Sequence, residues 1–344
     1  MAEAVQPLVS ICIPTYNAEK TLHETLNSIL NQTYRNLDIQ IVDNASTDRT
    51  LEVAASFSDE RVRILAHDKN VGAEGNFNRC IALAEGKYTA IFHADDVYEP
   101  HMLEKQIAFL EQHQAVGGVF TEAVIIDENG AIQGSLAAYP KQSGDVFSIY
   151  NFPQLFKDVL KHSNFLICPS AMLRTDLYKS KIKVWNGTAF KSSADLDVWL
   201  RAAEAGPIAI LHEKLMRYRI SSMQFSSALR SRVERSDFLL VIDHYLSLPW
   251  VRQLLTDDDL RYARALERTD RSVRALNLYL TDKVSAAQGL SSKALGWESL
   301  AMAFTGRRGA LTFLVALTLQ ILIRLRLYAI GKSILNWAKQ RTRK

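Results

Sequence analysis

The chain is poor in the features that would place it outside ordinary globular proteins. Its 344 residues hold 15 Gly, 8 Pro and no low-complexity run, which excludes collagen-like and disordered readings. Only three cysteines occur, Cys12, Cys80 and Cys168, without any C-x-x-C pair. They read as buried thiols of a reducing compartment rather than metal ligands or a disulfide framework. No G-x-G-x-x-G follows the first apolar run, so a dinucleotide-binding turn is missing, which argues against a dehydrogenase. Residues Met1 to Gln6 lack the basic and apolar regions of a signal peptide, which points to the cytoplasm or its membrane face. Acidic residues are scarce at the far end. From Trp297 to Lys344 there are nine Lys or Arg against the single Glu298, a tail of +8 that leaves the body at −4 within a total of +4. A body of that sign does not suit a nucleic-acid binder. The basic tail suits an anionic membrane surface.

What is present is 48% hydrophobic residues, enough to fill about two domain cores at roughly 150 residues each. The first half alternates short apolar runs with amphipathic stretches, the pattern of βαβ units in an α/β protein. Expected strands are Leu8–Ile13, Asp38–Val42, Val62–Leu65, Tyr88–Phe92 and Gly118–Thr121. Asn17 stands where an N-cap belongs, ahead of Leu22, Leu26, Ile29 and Leu30 at helical spacing. Gly86 reads as the residue that ends a third helix. Beyond Glu122 a hairpin is expected about Asp127–Gly130, which brings antiparallel pairing into a mixed sheet. A strand is expected over Ile167–Leu173, a helix over Ser192–Ala205, and separate strands over Pro207–Leu211 and Leu215–Ile220. Three divisions follow: a sheet domain over 1–227, a mainly α-helical region over 228–305, and a basic apolar tail over 306–344. Gly309–Ile323 has no charge in 15 residues, short of the roughly 18 to 20 of a spanning helix, and reads as an in-plane or tilted membrane helix or an oligomerisation helix.

Ligands of open α/β sheets bind beyond the carboxyl ends of the strands. Those ends carry Pro14-Thr15-Tyr16-Asn17, Asp43-Asn44-Ala45-Ser46-Thr47-Asp48 and His93-Ala94-Asp95-Asp96. Asp43 can accept from a base N–H, and Asp95 can hold a divalent cation bridging phosphates, for which Mg²⁺ or Mn²⁺ is suited. The bland alternative for Asp95 and Asp96 is a capped turn. Two adjacent acids beside His93 nonetheless repel each other in a way that a cation relieves.

The ordered set V-S-I-C-I-P-T-Y-N (Val9–Asn17), I-V-D-N-A-S-T-D (Ile41–Asp48), N-V-G (Asn70–Gly72), G-K-Y-T-A-I-F-H-A-D-D (Gly86–Asp96) and A-D-L-D-V-W-L-R (Ala194–Arg201) resembles glycosyltransferase family 2. The resemblance spans about Leu8 to Ser227. It implies a GT-A fold with a Rossmann-like mixed sheet, a nucleotide-diphosphate sugar donor with UDP favoured, a divalent cation and inversion at the anomeric carbon. By it, Pro14, Thr15, Tyr16 and Asn17 match the nucleotide-binding loop, Asp43 the base-recognising acid, Asp95 the metal-binding acid of D-x-D, and Asp195 the general base. Asp96, Asn70, Gly72 and Arg219 join the donor site, Asn70 and Gly72 by shaping a loop and Arg219 by pairing with phosphate. Two departures stand out. His93 replaces the first D-x-D acid, and Ile220-Ser221-Ser222-Met223-Gln224 lacks the His that many relatives carry after Tyr-Arg. Asp197, two residues from Asp195, lies on another helix face and supports the loop. Trp199 belongs to the core, and Arg201 to a solvated face. The expected activity is sugar transfer to a glycan or lipid-linked acceptor in cell-surface polysaccharide biosynthesis, at the inner face of the cell membrane. The alternative is a non-catalytic GT-A-like glycan-binding or assembly module.

Overall fold

The computed structural model describes residues 6–137, 145–220, 231–304 and 306–341. The chain divides into two compact units, Met1–Ser222 and Met223–Lys344. The expected boundary at Ser227 and the segment Ser221–Gln224 lie outside the described residues.

The first unit is built on a ten-stranded mixed sheet among the described residues. Its strands are β1 (Val9–Thr15), β2 (Leu37–Asp43), β3 (Val62–Ala66), β4 (Tyr88–Ile91), β5 (Val97–Tyr98), β6 (Gly118–Ile126), β7 (Ile132–Leu136), β8 (Phe147–Tyr150), β9 (Met172–Arg174) and β10 (Ile208–Arg219). The order is β3-β2-β1-β4-β9-β6-β10-β5, with β7 beside β6 and β8 beside β10. Strands β3, β2, β1 and β4 run parallel, as βαβ crossovers require. β9 enters antiparallel between β4 and β6. Ile11, Ile13, Ile39, Ile41 and Ala90 are fully buried, so β1, β2 and β4 read as apolar runs because helices cover both faces.

Several elements differ from expectation. Asn17 is no N-cap: the first helix is Leu22–Leu30 with Thr21 before it, and Asn17 sits in the loop at φ 51°. The third helix, Gly72–Leu83, ends before Ala84, so Gly86 does not cap it. Gly86 instead passes against β1, where Ser10 Oγ accepts from the N–H groups of Glu85 (3.0 Å) and Gly86 (2.9 Å). The two strands expected over 207–220 are one, β10, with register shifts between Leu211 and Met216. β6 likewise runs on to Ile126 and turns into β7. In Ile167–Leu173, Cys168–Ser170 forms a 3-10 turn and only Met172 begins a strand. The two-residue β5 and the edge strand β8 carry too few residues to show a period of two.

The second unit is helical, with helices at Asp237–Ser247, Pro249–Gln253, Asp257–Leu280, Val284–Ala294, Trp297–Ala303, Arg307–Arg324 and Tyr328–Arg341. Ala275, Leu278, Tyr279, Ala287, Leu319, Leu322, Ile323 and Leu335 form its core. Among the described residues no helix is long and apolar enough to cross a membrane.

A Cβ at Gly86 would lie 2.6 Å from the Leu8 carbonyl oxygen and 2.7 Å from the Ser10 nitrogen, both backbone atoms that cannot rotate away. Gly86→Ala should therefore destabilise the protein by about 1–3 kcal/mol. The measurement is urea unfolding, with a lower midpoint at unchanged slope.

Candidate active site

The loops after β1, β2 and β3 are tied into one rim. Asp43, fully buried at the end of β2, accepts from Thr15 Oγ1 (3.1 Å), the Ser46 N–H (2.9 Å) and Ser46 Oγ (2.5 Å). The Asn17 N–H donates to Ser46 Oγ at 3.0 Å, and Asn17 Oδ1 accepts from the Thr47 N–H at 2.8 Å. Asn44 does the same toward β3: its Nδ2 donates to Asn70 Oδ1 (2.9 Å) and the Gly72 carbonyl (3.2 Å), and its Oδ1 accepts from the Val71 N–H (2.8 Å). These loops enclose a cavity of about 270 Å³ lined by Pro14, Thr15, Tyr16, Asn44, Asn70, Gly72, Ala73, Asn76 and Phe77. Tyr16 stands at its edge, 51% exposed. Asp43 sits behind this rim as the acceptor that fixes it. Asn44, which the sequence reading passed over, is its polar wall.

The acids after β4 are held from two sides. Thr21 Oγ1 donates to the Ala94 carbonyl and Thr25 Oγ1 to the Asp96 carbonyl, each at 2.8 Å. Tyr98 of β5 stacks on Phe92 at 3.8 Å, and its hydroxyl accepts from the His93 N–H at 2.8 Å. The result brings ligand atoms of His93, Asp95 and Asp96 within 4.8 Å of one another. Asp96 is fully buried. Its Oδ1 accepts from the Arg219 N–H at 2.8 Å, while Oδ2 has no hydrogen-bond partner and lies 3.9 Å from His93 Nδ1. Burial, reinforced by the charge of Asp95, pushes the Asp96 carboxyl well above the usual range. Burial pulls the His93 imidazole down, against the opposing pull of Asp95. Two carboxylates and an imidazole, with one buried oxygen lacking a donor, fit the hard, oxygen-rich coordination of Mg²⁺ or Mn²⁺.

Arg219 takes a different place from the phosphate contact expected of it. It is buried beneath the turn, with Nε donating to the Asp95 carbonyl (2.8 Å), Nη1 to the Asp127 carbonyl (3.1 Å) and Nη2 to Glu24 Oε2 (2.5 Å). The antiparallel register of β5 on β10, Arg217 opposite Val97, delivers it there.

Asp195 lies in the first turn of the helix Ala194–Ala205, and its Oδ2 accepts from Asn164 Nδ2 at 3.2 Å. Burial raises its carboxyl to about 6, against the pull of the Leu196 N–H and Asn164. Asp197 turns inward, as its position on another face implies, and is bound by Arg201 Nη2 (2.6 Å) and Asn186 Nδ2 (3.0 Å). Arg201 is not a solvated face: its guanidinium also reaches the carbonyls of Ile182 and Val184 and holds the loop before the helix. Trp199 packs edge-on against Phe120 at 5.0 Å and against Trp185 at 6.0 Å. Trp185 meets Phe77 at 4.5 Å, and Phe77 meets His93 edge-on at 6.0 Å. That aromatic row joins the Asp195 helix, the acidic turn and the cavity wall.

Two residues feel charge from both the turn after β4 and the Asp195 helix. The Cys168 sulfur is 3.7 Å from His93 Nε2, and burial together with the charges of Asp195 and Asp96 pushes its thiol up. Burial also pushes the Tyr218 phenol up, with added contributions from Asp96, Asp95, Cys168 and Asp195. The charges of Asp95 and Asp195, a hundred residues apart in sequence, therefore both bear on the Tyr218 phenol. Sequence reasoning placed Cys168 among core thiols with Cys12 and Cys80. Those two are buried, with Cys12 Sγ donating to the Cys80 carbonyl at 3.4 Å, while nothing local marks Cys168 as different.

Comparison with known proteins identifies the family and the fold. Residues 10–180 match the Glycosyl transferase family 2 profile. An uncharacterized glycosyltransferase of Methanocaldococcus jannaschii is 32% identical over 225 residues, covering 64% of this chain and 73% of that protein. A UDP-Glc:alpha-D-GlcNAc-diphosphoundecaprenol beta-1,3-glucosyltransferase of Escherichia coli is 33% identical over 125 residues, covering 36% of this chain and 49% of that protein. The crystal structure of S. aureus TarS 1–349 in complex with UDP-GlcNAc superposes with a TM-score of 0.61 at 19% identity, covering 92% of this chain and 91% of that one. The chain belongs to glycosyltransferase family 2 and has the GT-A fold.

Because the folded state holds the Asp195 proton to about 6 while the unfolded chain releases it near 3.8, stability falls as pH rises across that window and stays lower above it. Asp195→Asn should remove the penalty, raising stability by about 1–3 kcal/mol at pH 8 and by nothing near pH 3. Paired thermal melts at the two pH values check it, and equal gains at both would contradict the burial argument.

Proposed function

We propose that this enzyme is an inverting, metal-dependent glycosyltransferase. It moves a hexosyl or N-acetylhexosaminyl group from a nucleotide-diphosphate sugar, a UDP-sugar by preference, to a hydroxyl of a glycan or lipid-linked acceptor. The setting is cell-surface polysaccharide assembly at the cytoplasmic face of the membrane. The observation that carries this reading is the cluster of His93, Asp95 and Asp96 ligand atoms within 4.8 Å of one another, with Asp195 near enough for its charge to bear on the same Tyr218 phenol as theirs. Likeness to a TarS structure holding UDP-GlcNAc supports the UDP-sugar, and likeness to a glucosyltransferase named for a diphosphoundecaprenol acceptor supports the lipid-linked one. Residues 1–227 then form the catalytic domain, 228–305 a helical region and 306–344 a membrane-associated tail.

The nucleoside occupies the cavity between Tyr16 and the Asn44–Asn70 wall, whose 270 Å³ suits a base and ribose rather than a whole donor. The exposed Tyr16 ring offers a stacking face, the Pro14–Asn17 and Asn70–Gly72 loops supply backbone groups, and Asp43, buried behind the rim, serves the base by holding the Thr15 and Ser46 segments in place. His93, Asp95 and Asp96 would hold a divalent cation, which when bound offsets the charge that grows on the departing diphosphate. Arg219 sets the backbone of that turn rather than touching the donor. Asp195, raised to about 6 and held by Asn164, is mostly ionised at neutral pH yet basic enough to take a proton. The acceptor hydroxyl attacks the anomeric carbon while its proton passes to the Asp195 carboxylate. The bond from that carbon to the diphosphate oxygen breaks with its electron pair leaving on the nucleotide, and a single displacement inverts the centre.

A panel of nucleotide sugars with Mn²⁺, read by product mass, tests the reaction. Asp195→Asn should bind donor normally and lose transfer by roughly 10²–10⁴-fold, with an acid limb near pH 6 in the wild type that the variant lacks. Asp95→Asn and chelation should each weaken donor binding as well as transfer. Donor binding by the wild type with neither hydrolysis nor transfer would favour the non-catalytic module.

A further inference from the structure

The helix Arg307–Arg324 is apolar around most of its circumference, yet only one side of it is covered. Ala316, Leu319, Leu322 and Ile323 are buried, the last three within the core of the helical unit. On the opposite side Leu311, Leu314, Leu317, Ile321 and Leu325 recur at spacings of three or four and are all exposed, Leu314 at 54% and Leu325 at 62%. That spacing sets them in one stripe. The next helix, Tyr328–Arg341, repeats the arrangement: Leu335 packs inward while Ile330, Ile334 and Trp337 are exposed at four- and three-residue spacing. Exposed Leu325 and Leu327 continue the apolar surface through the turn between the helices. Helices that are apolar on every side are ordinarily covered on every side.

The charge around the stripe says what covers it. Residues 299–344 hold nine Lys or Arg and no acid, and Arg324 and Arg326 are exposed where the two helices meet. A second copy of the same face would bring cations against cations. An anionic bilayer supplies both an apolar interior for the stripe and phosphates for its rim. Neither helix is long and apolar enough to cross such a bilayer, so the fit is to its surface.

We propose that the exposed stripe Leu311, Leu314, Leu317, Ile321 and Leu325, continued by Ile330, Ile334 and Trp337, is an in-plane docking face for an anionic phospholipid membrane. Arg324 and Arg326 contact its headgroups, and Trp337 sits at the boundary between headgroups and acyl chains. The inference deepens the membrane-face reading given above and rests on it.

The full-length protein is sedimented with vesicles of phosphatidylcholine alone or of phosphatidylcholine with a quarter phosphatidylglycerol, at low salt and at 0.5 M salt. Binding should be at least tenfold stronger to the anionic vesicles and should fall at high salt. Leu314→Asn/Ile321→Asn should lose that binding by tenfold or more, with thermal midpoint and transfer to a soluble acceptor as in the wild type. Arg324→Gln/Arg326→Gln, which alters only exposed side chains, should weaken anionic binding several-fold and guards against a folding defect in the first variant. Equal vesicle binding by wild type and both variants would overturn this face while leaving membrane contact standing. No binding by the wild type, with transfer to a soluble acceptor intact, would overturn the membrane reading and leave the enzyme standing. Self-association that both variants abolish, without vesicle binding, would assign the stripe to a second copy and overturn the proposal.

Discussion

The constraint on which the first unit turns is the concentration of acid at the end of β4. Asp96 is buried with one oxygen bound to the Arg219 N–H and the other unpartnered. A buried polar atom without a partner is costly. The fold keeps it in place by spending several independent bonds on the surrounding backbone: the hydroxyls of Thr21, just before the first helix, and Thr25 within it, the Tyr98 hydroxyl and the Arg219 guanidinium. The short β5, its pairing with β10 and the inward turn of Arg219 are all consequences of holding that turn still.

The two acids of the Ala194–Ala205 helix show how environment separates like residues. Asp197 is bound by Arg201 and Asn186 and ties down the preceding loop. Among the described residues Asp195 has one amide donor from a side chain and no cationic partner, and burial raises it to about 6. Two acids two residues apart in sequence are thereby given different environments. The aromatic row from Trp199 through Trp185 to Phe77 then fixes the distance between the helix carrying Asp195 and the turn carrying His93.

The second unit follows a different rule. Its core is a modest apolar cluster, and its last two helices carry more apolar surface than that cluster absorbs. Local propensity is strong there, as in the capping box of Thr256 and Asp259 that opens the longest helix.

The sequence alone determined the parallel half of the sheet, because buried strands and amphipathic helices write different periods into the chain. It also marked the positions after β1, β2 and β4, where Pro14–Asn17, Asp43 and His93–Asp96 stand together with Asp195 as the residues that resemble the family. Tertiary structure decided what each of them faces. Gly86 reads locally as a helix end, but its role is set by the Leu8 backbone 2.6 Å from where its Cβ would be. Arg219 reads as a phosphate-pairing cation until antiparallel pairing carries it beneath Asp95, and Cys168 reads as core until a 3-10 turn sets its sulfur beside His93. Period and propensity are properties of neighbours in sequence, whereas burial, charge and partnership belong to neighbours in space.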